Sequence, residues 1–213
     1  AEAMPPQLLS FSDRTAHVAQ VPDNFPTRAL TFETWVQSCN SCHLGVLLSY
    51  STSASRTAND FVVWNVGANI EVCIDEPLTG NCHGQLNYTS DSPIFLEDDV
   101  WHHIAVTFDS EDGGLVEVFI DGVVANVFNT HPMLEAAPPL HPGGSLVIGQ
   151  AQDCPGGCFW GGAFWGSLTE IRLWGTRRTQ GEIMRDMYSA GLESFFHEPK
   201  HLVAYWPLLE EPG

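Results

Sequence analysis

Basic side chains are scarce in this sequence of 213 residues. Lysine and arginine together number 8 against 26 acidic residues, which gives a formal net charge of -18 at pH 7. A surface of that sign repels polyanions, so nucleic acid, heparin-like chains and anionic membranes are excluded as expected partners. Cations, neutral glycans and basic proteins are compatible with the charge. Solubility accounts for most of the carboxylates, so their number alone predicts no site.

Long apolar runs are absent as well. No stretch approaches the ~18 residues that a membrane-spanning helix requires, so we expect no membrane insertion. The sequence shows no signal-peptide pattern, which predicts a mature or excised chain. Phosphate-binding loops and Gly-x-Ser-x-Gly nucleophile elbows are also missing, and two common classes of enzyme are thereby disfavoured.

Cysteines are present in three pairs that are close in sequence: Cys39 and Cys42, Cys73 and Cys82, and Cys154 and Cys158. An even number in local pairs is typical of disulfides in an oxidising compartment and predicts an extracellular or cell-surface protein. A zinc site built from the first and third pairs is the alternative. The sequon Asn87-Tyr88-Thr89 adds a predicted glycosylation site at Asn87.

Short apolar or alternating segments recur between turn-rich segments. In the run 101–108, Ile104, Val106 and Phe108 share one face by the period of two that a strand imposes. Further strands are predicted at 32–36, 45–50, 61–66, 70–74, 116–120, 123–128, 145–148 and 168–174. Asp121-Gly122 is a strong hairpin-turn signal. Many short strands without helical alternation indicate an all-β sandwich or barrel.

One segment has helical features. Thr179 followed by Glu182 three residues later is a capping box, and Gly191 is placed to end the helix in a left-handed conformation. These signals predict a helix of about three turns. The proline-rich stretch 130–144 is interpreted as an ordered surface loop, because strands are predicted on both sides of it. Residues 1–213 are therefore expected to form a single domain.

The predicted strands resemble those of laminin G-like and pentraxin-like modules. Six segments carry the resemblance: 101–109, 116–121, 122–127, 145–150, 166–174 and 202–208. The resemblance covers almost the whole chain from Leu9 onward. It implies an all-β, two-sheet antiparallel jelly-roll sandwich of the concanavalin A-like kind, with one short helix near the C-terminus. It is specific for fold and much less so for ligand.

The resemblance to pentraxins also implies calcium as a cofactor. Asn59 and Asp60 stand where pentraxins carry an acidic and amide pair in the opposite order, while Gln152, through its carbonyl, and Asp153 match the second calcium segment. Ala151 stands where a glutamate ligand is expected, so the implied site holds one calcium rather than two. Calcium takes six to eight oxygens, which two such loops and water can supply. The alternative is that these residues form turn hydrogen bonds.

The glycine-rich segment 154–165 follows the second calcium segment and carries four aromatic residues. A small disulfide ring there predicts a tight loop from which Phe159 and Trp160 contact a ligand. Aromatic faces can stack on a sugar ring or anchor a protein contact. Phe164 and Trp165 lead into a strand, so we expect them to pack in the core.

Catalytic arrangements are not evident. Retaining glycosidases need two carboxyl groups ~5–5.5 Å apart. Glu117 and Asp121 share a face, but four residues of strand separate them by roughly 13 Å. The acids of the segment 109–112 lie in a predicted hairpin loop and are expected to be solvated. His102 and His103 point to opposite faces of one strand, so they are expected to pack or to bond across strands.

Three functions are compatible with these features. The preferred hypothesis is an extracellular, non-catalytic recognition or adhesion module that binds a glycan or protein ligand at the loop edge with calcium. The second is a purely structural interaction domain that packs against neighbouring domains of a larger protein and binds no calcium. The third is a carbohydrate-active enzyme of the same fold.

Overall fold

The computed structural model describes residues 9–11, 17–19, 25–38, 45–53, 59–66, 69–76, 99–129, 135–159, 161–189 and 200–207. These residues form two sheets and one short helix. The elements are β1 (Leu9–Phe11), β2 (His17–Ala19), β3 (Ala29–Ser38), β4 (Gly45–Ser51), β5 (Asn59–Val66), β6 (Asn69–Glu76), β7 (Trp101–Asp109), β8 (Leu115–Ile120), β9 (Val123–Asn129), β10 (Ser145–Ile148), β11 (Gly166–Trp174), α1 (Gln180–Asp186) and β12 (Leu202–Trp206).

Both sheets are antiparallel. The seven-stranded sheet has the order β1-β11-β3-β7-β8-β9, with β12 paired to β11, and the five-stranded sheet has the order β2-β10-β4-β5-β6. Several neighbouring strands are far apart in sequence, as the crossing connections of a jelly roll require. The two-sheet antiparallel jelly-roll sandwich with one short helix is therefore confirmed.

The main core lies between the sheets. Alternate residues of the central strands point inward, so that Phe32, Val106 and Phe108 from one sheet meet Leu48 and Phe61 from the other, all fully or almost fully buried. Burial of each such side chain contributes roughly 1.5–3 kcal/mol. The period-two pattern of the sequence thus builds this core directly.

Tyr50 closes the end of the core beside the predicted metal site. Its ring stacks on Phe25 with the centroids 3.6 Å apart. Its hydroxyl donates to the carbonyl of His141 at 2.8 Å and accepts from the Gly144 N–H at 2.9 Å. A Cβ at Gly144 would lie 2.3 Å from the Ser51 carbonyl, so the chain approaches β4 as closely as only glycine permits. This contact holds the segment that follows Leu140 against the sheet.

The hairpin between β8 and β9 turns at Asp121-Gly122, as predicted. Both residues have positive φ angles, 51° and 75°, as a two-residue type I′ turn requires. The Asp121 carboxylate also accepts from the His103 N–H at 2.9 Å and contacts His102 Nδ1 at 2.7 Å. The turn therefore ties β8 to β7.

Helix α1 begins with the predicted capping box, in which the side chains and backbones of Thr179 and Glu182 bond reciprocally. The expected length of about three turns is wrong, because the helix has seven residues and Met187 is its C-cap. Side chains of the sheet donate hydrogen bonds to the backbone carbonyls at its end. Arg172 donates to the carbonyl of Asp186, and Trp35 Nε1 donates to the carbonyl of Met187, both at 2.9 Å. Gly191 lies outside the described residues. No helix in the described part of the chain is long and apolar enough to cross a membrane.

Two short strands, β1 and β2, were not anticipated. Each has only three residues and pairs with a later strand, β11 and β10 respectively. Three residues carry too little periodicity to be recognised in the sequence. Within the predicted loop 130–144, residues 135–144 are described, and Ala137 and Leu140 are buried there with backbone bonds to the sandwich.

Candidate functional site

The outer face of the five-stranded sheet is covered by residues 149–164, here called the ring loop, which connects β10 to β11. Its ends are attached to β4: the Gly149 N–H donates to the Leu47 carbonyl at 3.1 Å, and the Val46 N–H donates to the Gly162 carbonyl at 2.9 Å. The Phe164 N–H also donates to the Gly149 carbonyl at 2.9 Å. These bonds fix where the loop leaves and rejoins the sandwich.

A small apolar cluster lies under the ring loop. It consists of Val46, Val62 and Cys73 from the sheet, with Trp64 and Ala151 packed against them. Gly162 has a φ angle of +73°, and a Cβ there would lie 2.9 Å from the Trp64 ring. Glycine is therefore required at this position, both for the backbone conformation and for the approach to the indole.

The tip of the ring loop contains the predicted disulfide ring. Cys154 and Cys158 are bonded, and the Gly157 N–H donates to the Cys154 carbonyl at 2.9 Å. Pro155 and Gly156, with a φ angle of +71° at the glycine, occupy the central positions of this turn, as in a type II turn. Because both cysteines are engaged in a disulfide, the alternative zinc site that needed them is wrong.

The other cysteines are only partly described. Cys73 is disulfide-bonded and almost completely buried. Cys39, Cys42 and Cys82 lie outside the described residues, as does the predicted glycosylation site Asn87. Disulfide pairing is thus confirmed for Cys154 and Cys158, and the pairing of the others stays a prediction.

Gln152 connects the disulfide ring to the sheet. Its side chain is fully buried, and its Nε2 donates to the carbonyls of Ser49 and Ser145, both at 2.9 Å. Its Oε1 accepts from the Gly156 N–H inside the ring at 2.7 Å. The side chain is therefore fully used in holding the loop, and only the backbone carbonyl remains for the predicted metal role. Asp153, the next residue, is partly exposed.

Asp60 is the buried acid of the predicted metal site. It lies at the start of β5, directly after the buried Asn59, and is 1% exposed. Its Oδ2 accepts from Thr52 Oγ1 and from the His141 N–H, both at 3.1 Å, and lies 3.3 Å from His141 Nδ1. Its Oδ1 is buried and accepts no hydrogen bond. An unpaired buried carboxylate oxygen costs free energy, so this atom marks an electrostatically incomplete point of the structure.

The two predicted ligand segments lie at the same end of the five-stranded sheet. Thr52, which bonds Asp60, directly follows Ser51, and Ser51 pairs with Ser145 in the neighbouring strand. Ser145 in turn accepts the hydrogen bond from Gln152. Within the described ranges no three His, Cys, Asp or Glu side chains form a metal-binding group. A cation held here would therefore also rely on amide and backbone oxygens.

The aromatic residues of the ring loop divide into two groups. Phe159 is exposed, and its contact to a ligand stays a prediction, while Phe164 is 2% exposed and belongs to the main core, as predicted. Trp165, which directly follows the ring loop, is half-buried and is not part of the main core, so the expectation for this residue is wrong. Trp160, the other predicted contact residue, lies outside the described residues.

The acids considered for catalysis have structural partners. Glu117 pairs with Arg177 at 2.9 Å, and Asp121 is occupied by His102 and by the backbone of His103. The two histidines have separate environments, because His102 contacts the turn while the His103 side chain is buried against the Trp35 ring. These contacts explain the residues without a catalytic role.

A buried group of charges on the outer face of the seven-stranded sheet was missed by the sequence analysis. We call it the charge cluster, and it consists of Glu33, Glu170, Arg172, Arg178 and Asp186. Arg178 donates to Glu33 at 2.6 Å, and Arg172 donates to Glu170 at 3.0 Å. Arg178 also bonds Asp186 and lies 4.0 Å above the Trp174 ring. The available signal was the presence of charged residues in the middle of predicted strands, with Glu33 in β3 and Glu170 and Arg172 in β11.

His103 borders the charge cluster, with its Nε2 3.7 Å from Glu33 Oε2. Burial, together with the positive charges of Arg172 and Arg178, lowers the pKa of His103 from 6.5 to about 3. Burial raises the pKa of Glu33, although Arg178 and Arg172 oppose that effect. His103 is therefore neutral in the folded protein at ordinary pH, and its ring packs against that of Trp35.

Comparison with known proteins gives the same assignment from sequence and from structure. A family model described as the concanavalin A-like lectin/glucanases superfamily matches residues 12–184. Neuronal pentraxin-2 of Homo sapiens is 35% identical over 148 residues, which are 68% of this chain and 30% of that protein. The chain thus spans less than a third of the length of this curated relative.

Two solved structures share the fold. A native heptameric SAP-like pentraxin from Limulus polyphemus has a TM-score of 0.67 and 18% identity, covering 94% of this chain and 92% of its own. The CBM40 of Ruminococcus gnavus IT-sialidase, bound to alpha2,3 sialyllactose, has a TM-score of 0.55 and 14% identity, covering 84% and 96%. The chain therefore belongs to the concanavalin A-like lectin/glucanases superfamily, with the jelly-roll fold of laminin G-like and pentraxin-like modules.

Proposed function

We propose that this chain is an extracellular, non-catalytic recognition module that binds a glycan or protein ligand at the ring loop with the help of one calcium ion. The ion would be held by Asn59, Asp60, the Gln152 carbonyl and Asp153. The family assignment and the sialyllactose-bound CBM40 of similar fold support a binding role. The disulfides support an extracellular location, because such bonds persist in oxidising compartments.

The observation that carries the proposal is the unpaired Oδ1 of Asp60. A cation next to this oxygen would supply the interaction that the protein does not. Calcium is suited to it because it accepts carboxylate, amide and carbonyl oxygens together and tolerates irregular coordination. With only two carboxylates, Asp60 and Asp153, the affinity is expected to lie in the ~10⁻⁴–10⁻³ M range of extracellular modules.

Each residue has a separate task in this proposal. Bound calcium would supply a positive centre to which oxygen atoms of a ligand can coordinate. Asp60 is held through one carboxylate oxygen by Thr52 and His141, and its other oxygen, which accepts no hydrogen bond, would bind the ion. Gln152 uses its side chain to orient its own backbone and that of Asp153. Phe159 offers an exposed aromatic face, with Trp160 next in sequence, against which a sugar ring or an apolar side chain can pack.

The test is thermal unfolding with calcium up to ~10 mM and then with excess chelator, on wild type and on Asp60→Asn and Asp153→Ala. A ligand that binds only the folded state stabilises it by ~2.7 kcal/mol at a hundredfold excess over its dissociation constant. We expect a calcium-dependent rise in Tm for wild type that is lost in both variants. Glu111→Gln, at the exposed pair with Arg28, is the control and should behave as wild type. Absence of any shift for wild type would contradict calcium binding.

A second candidate function is a structural interaction domain without calcium. It is favoured by four exposed apolar residues on β9 and at α1: Val123, Val127, Met184 and Tyr188, which are 47–64% exposed. Such residues are compatible with packing against neighbouring domains, and the greater length of the curated relatives leaves room for them. Two results together would favour this function: calcium does not change the Tm of wild type, and Val127→Asp weakens the packing of this chain against a neighbouring domain.

A further inference from the structure

The Cys154–Cys158 bond is placed differently from the disulfide of Cys73. Cys158 and Pro155 are exposed at the tip of the ring loop, whereas Cys73 is 4% exposed and belongs to the apolar cluster under that loop. A reductant in solution therefore reaches Cys158 much more easily than it reaches Cys73. Disulfide exchange depends on such access as well as on thiol chemistry.

We propose that the Cys154–Cys158 disulfide is a reversible redox brace that holds the ring loop in its binding conformation and thereby sets its affinity. The inference deepens the proposed function and rests on it for the ligand. A dithiol would open the ring: one thiolate attacks the exposed Cys158 sulfur, the Cys154 thiolate leaves and is protonated, and the second thiol of the reductant releases Cys158 as a thiol. The protein gains two electrons and two protons, and the dithiol becomes a disulfide.

Backbone conformation indicates what the brace maintains. Cys158 has a φ angle of +56°, a left-handed conformation that costs free energy for a residue with a Cβ. The five-residue ring holds Cys158 in this conformation. Once the bond is opened, Cys158 is free to return to a negative φ angle, and such a change redirects the chain at the adjacent exposed Phe159. The bond therefore controls the direction of the aromatic contact residue.

Gln152 connects the ring to the proposed calcium segment. Its amide is bonded on one side to Gly156 inside the ring and on the other to Ser49 and Ser145 of the sheet. A change in the ring at Gly156 therefore acts on the residue whose carbonyl, together with the following Asp153, is proposed to hold calcium. In the oxidised protein, the disulfide ring therefore keeps the Gln152 carbonyl and Asp153 in one arrangement.

The expected effect follows from the fraction of molecules in which the loop is correctly arranged. The apparent dissociation constant equals the intrinsic constant divided by that fraction, so a reduced loop that is competent about a tenth of the time binds about tenfold more weakly. The effect should be confined to the loop, because the two backbone anchors at Gly149 and Gly162 do not involve the ring.

The experiment titrates the native protein with dithiothreitol and identifies opened disulfides by alkylation and mass spectrometry. Calcium affinity is measured by calorimetry on oxidised, reduced and reoxidised protein and on the C154S/C158S variant. Amide hydrogen exchange at 152–159 is followed in parallel. We expect this bond to open before that of Cys73, exchange to rise only in the loop, affinity to fall about tenfold in reduced and variant protein, and reoxidation to restore it.

Three results would overturn the inference: opening of the bond only together with that of Cys73, unchanged exchange in the loop, or equal calcium affinity in oxidised and reduced protein. If oxidised protein binds no calcium, the proposed cofactor is wrong, and exchange alone decides on the brace. In that case a rise at 152–159 that is reversed by reoxidation supports it, and no rise rejects it. Unfolding midpoints of the C154S/C158S variant show whether the sandwich itself is intact.

Discussion

Helix α1 covers the outer face of the seven-stranded sheet with buried ion pairs, whereas the ring loop covers the outer face of the five-stranded sheet with neutral hydrogen bonds, glycines and a disulfide. In the first region, Arg178 and Arg172 are both paired with acids of the charge cluster. In the second, both the Nε2 and the Oε1 of Gln152 are hydrogen-bonded, yet Asp60 keeps one oxygen that accepts no hydrogen bond. Glu33 Oε2 accepts no hydrogen bond either, but it lies 3.8 Å from Arg172 Nη1. The buried acid of the first region therefore faces two arginines, whereas the ionisable neighbour of Asp60 is His141.

Under the proposed function, this difference separates polar residues that stabilise the fold from polar residues that bind a partner. Buried charges that satisfy each other hold an element in place, as the charge cluster holds α1. A buried acid with an oxygen that accepts no hydrogen bond, at the same end of the sheet as the segment that carries Asp153, is instead suited to an external partner. The following predictions test whether the two faces differ in this way.

The largest effect is expected from Glu33→Gln in the charge cluster. The substitution leaves the buried Arg178 and Arg172 with less negative charge, and breaking a buried pair in this way costs about 3–5 kcal/mol. Equilibrium denaturant unfolding measures the loss. Glu111→Gln removes an exposed pair with Arg28 and should change stability by less than about 1 kcal/mol. Equal effects of the two variants would show that the cluster does not stabilise α1.

Acid should weaken the same face through His103. Its pKa of about 3 lies below the unfolded value of 6.5, so its contribution to stability is complete above pH 6.5 and is lost as the pH falls towards 3. At pH 4 the loss amounts to about 3 kcal/mol. The raised pKa of Glu33 acts in the opposite direction, so the comparison is made with His103→Gln, which retains Glu33. Wild type should lose more stability than the variant between pH 6.5 and 4; parallel profiles would contradict this.

On the other face, Gln152→Met should cost about 2–3 kcal/mol in denaturant unfolding. The change leaves the Gly156 N–H and the carbonyls of Ser49 and Ser145 without their bonds, and each buried unsatisfied group costs about 1–3 kcal/mol before water compensates. Gln150→Met is the matched control. Gln150 donates only to the Gly161 carbonyl, and its Oε1 has no partner, so its loss should be about 1 kcal/mol or less. Similar losses of stability in the two variants would contradict the role of Gln152 in holding the ring loop.

The smallest effect concerns the start of α1. Thr179→Ala removes the side chain that caps the helix and should cost about 1 kcal/mol, whereas Thr179→Ser keeps the hydroxyl and should be nearly neutral. The Thr179 N–H also lowers the pKa of Glu182 by bonding its carboxylate, so the contribution of the capping box is lost as the pH falls. Urea unfolding at neutral pH checks the order of the two variants, and a reversed order would contradict the capping role.

The fold was largely predictable because its strands have strong local signals. The alternation in β7, the Asp121-Gly122 turn and the Thr179 capping box each depend on residues close in sequence. The length of α1 was not predictable in the same way, because the carbonyls at its end are taken by Arg172 and Trp35 of distant strands. Local signals start this helix, and tertiary contacts end it.

The candidate site was predictable only as a set of residues. The family resemblance singled out Asp60 and Gln152. It could not indicate that the Gln152 amide bonds both the sheet and the disulfide ring, or that one Asp60 oxygen accepts no hydrogen bond. Likewise, Glu33 lies in β3, and its partner Arg178 is 145 positions away. Partners at such separations are brought together by sheet topology rather than by spacing.

By itself the sequence determined the strand pattern, the turn, the helix start and the close spacing of Cys154 and Cys158, because these depend on backbone preferences and periodicities within a few residues. Tertiary structure alone decided which polar groups are satisfied, since this depends on burial and on partners supplied by distant strands. Asp60 illustrates this difference between sequence and tertiary structure. The sequence specifies an aspartate, but its unpaired oxygen results from the packing of β5 against Thr52 and His141.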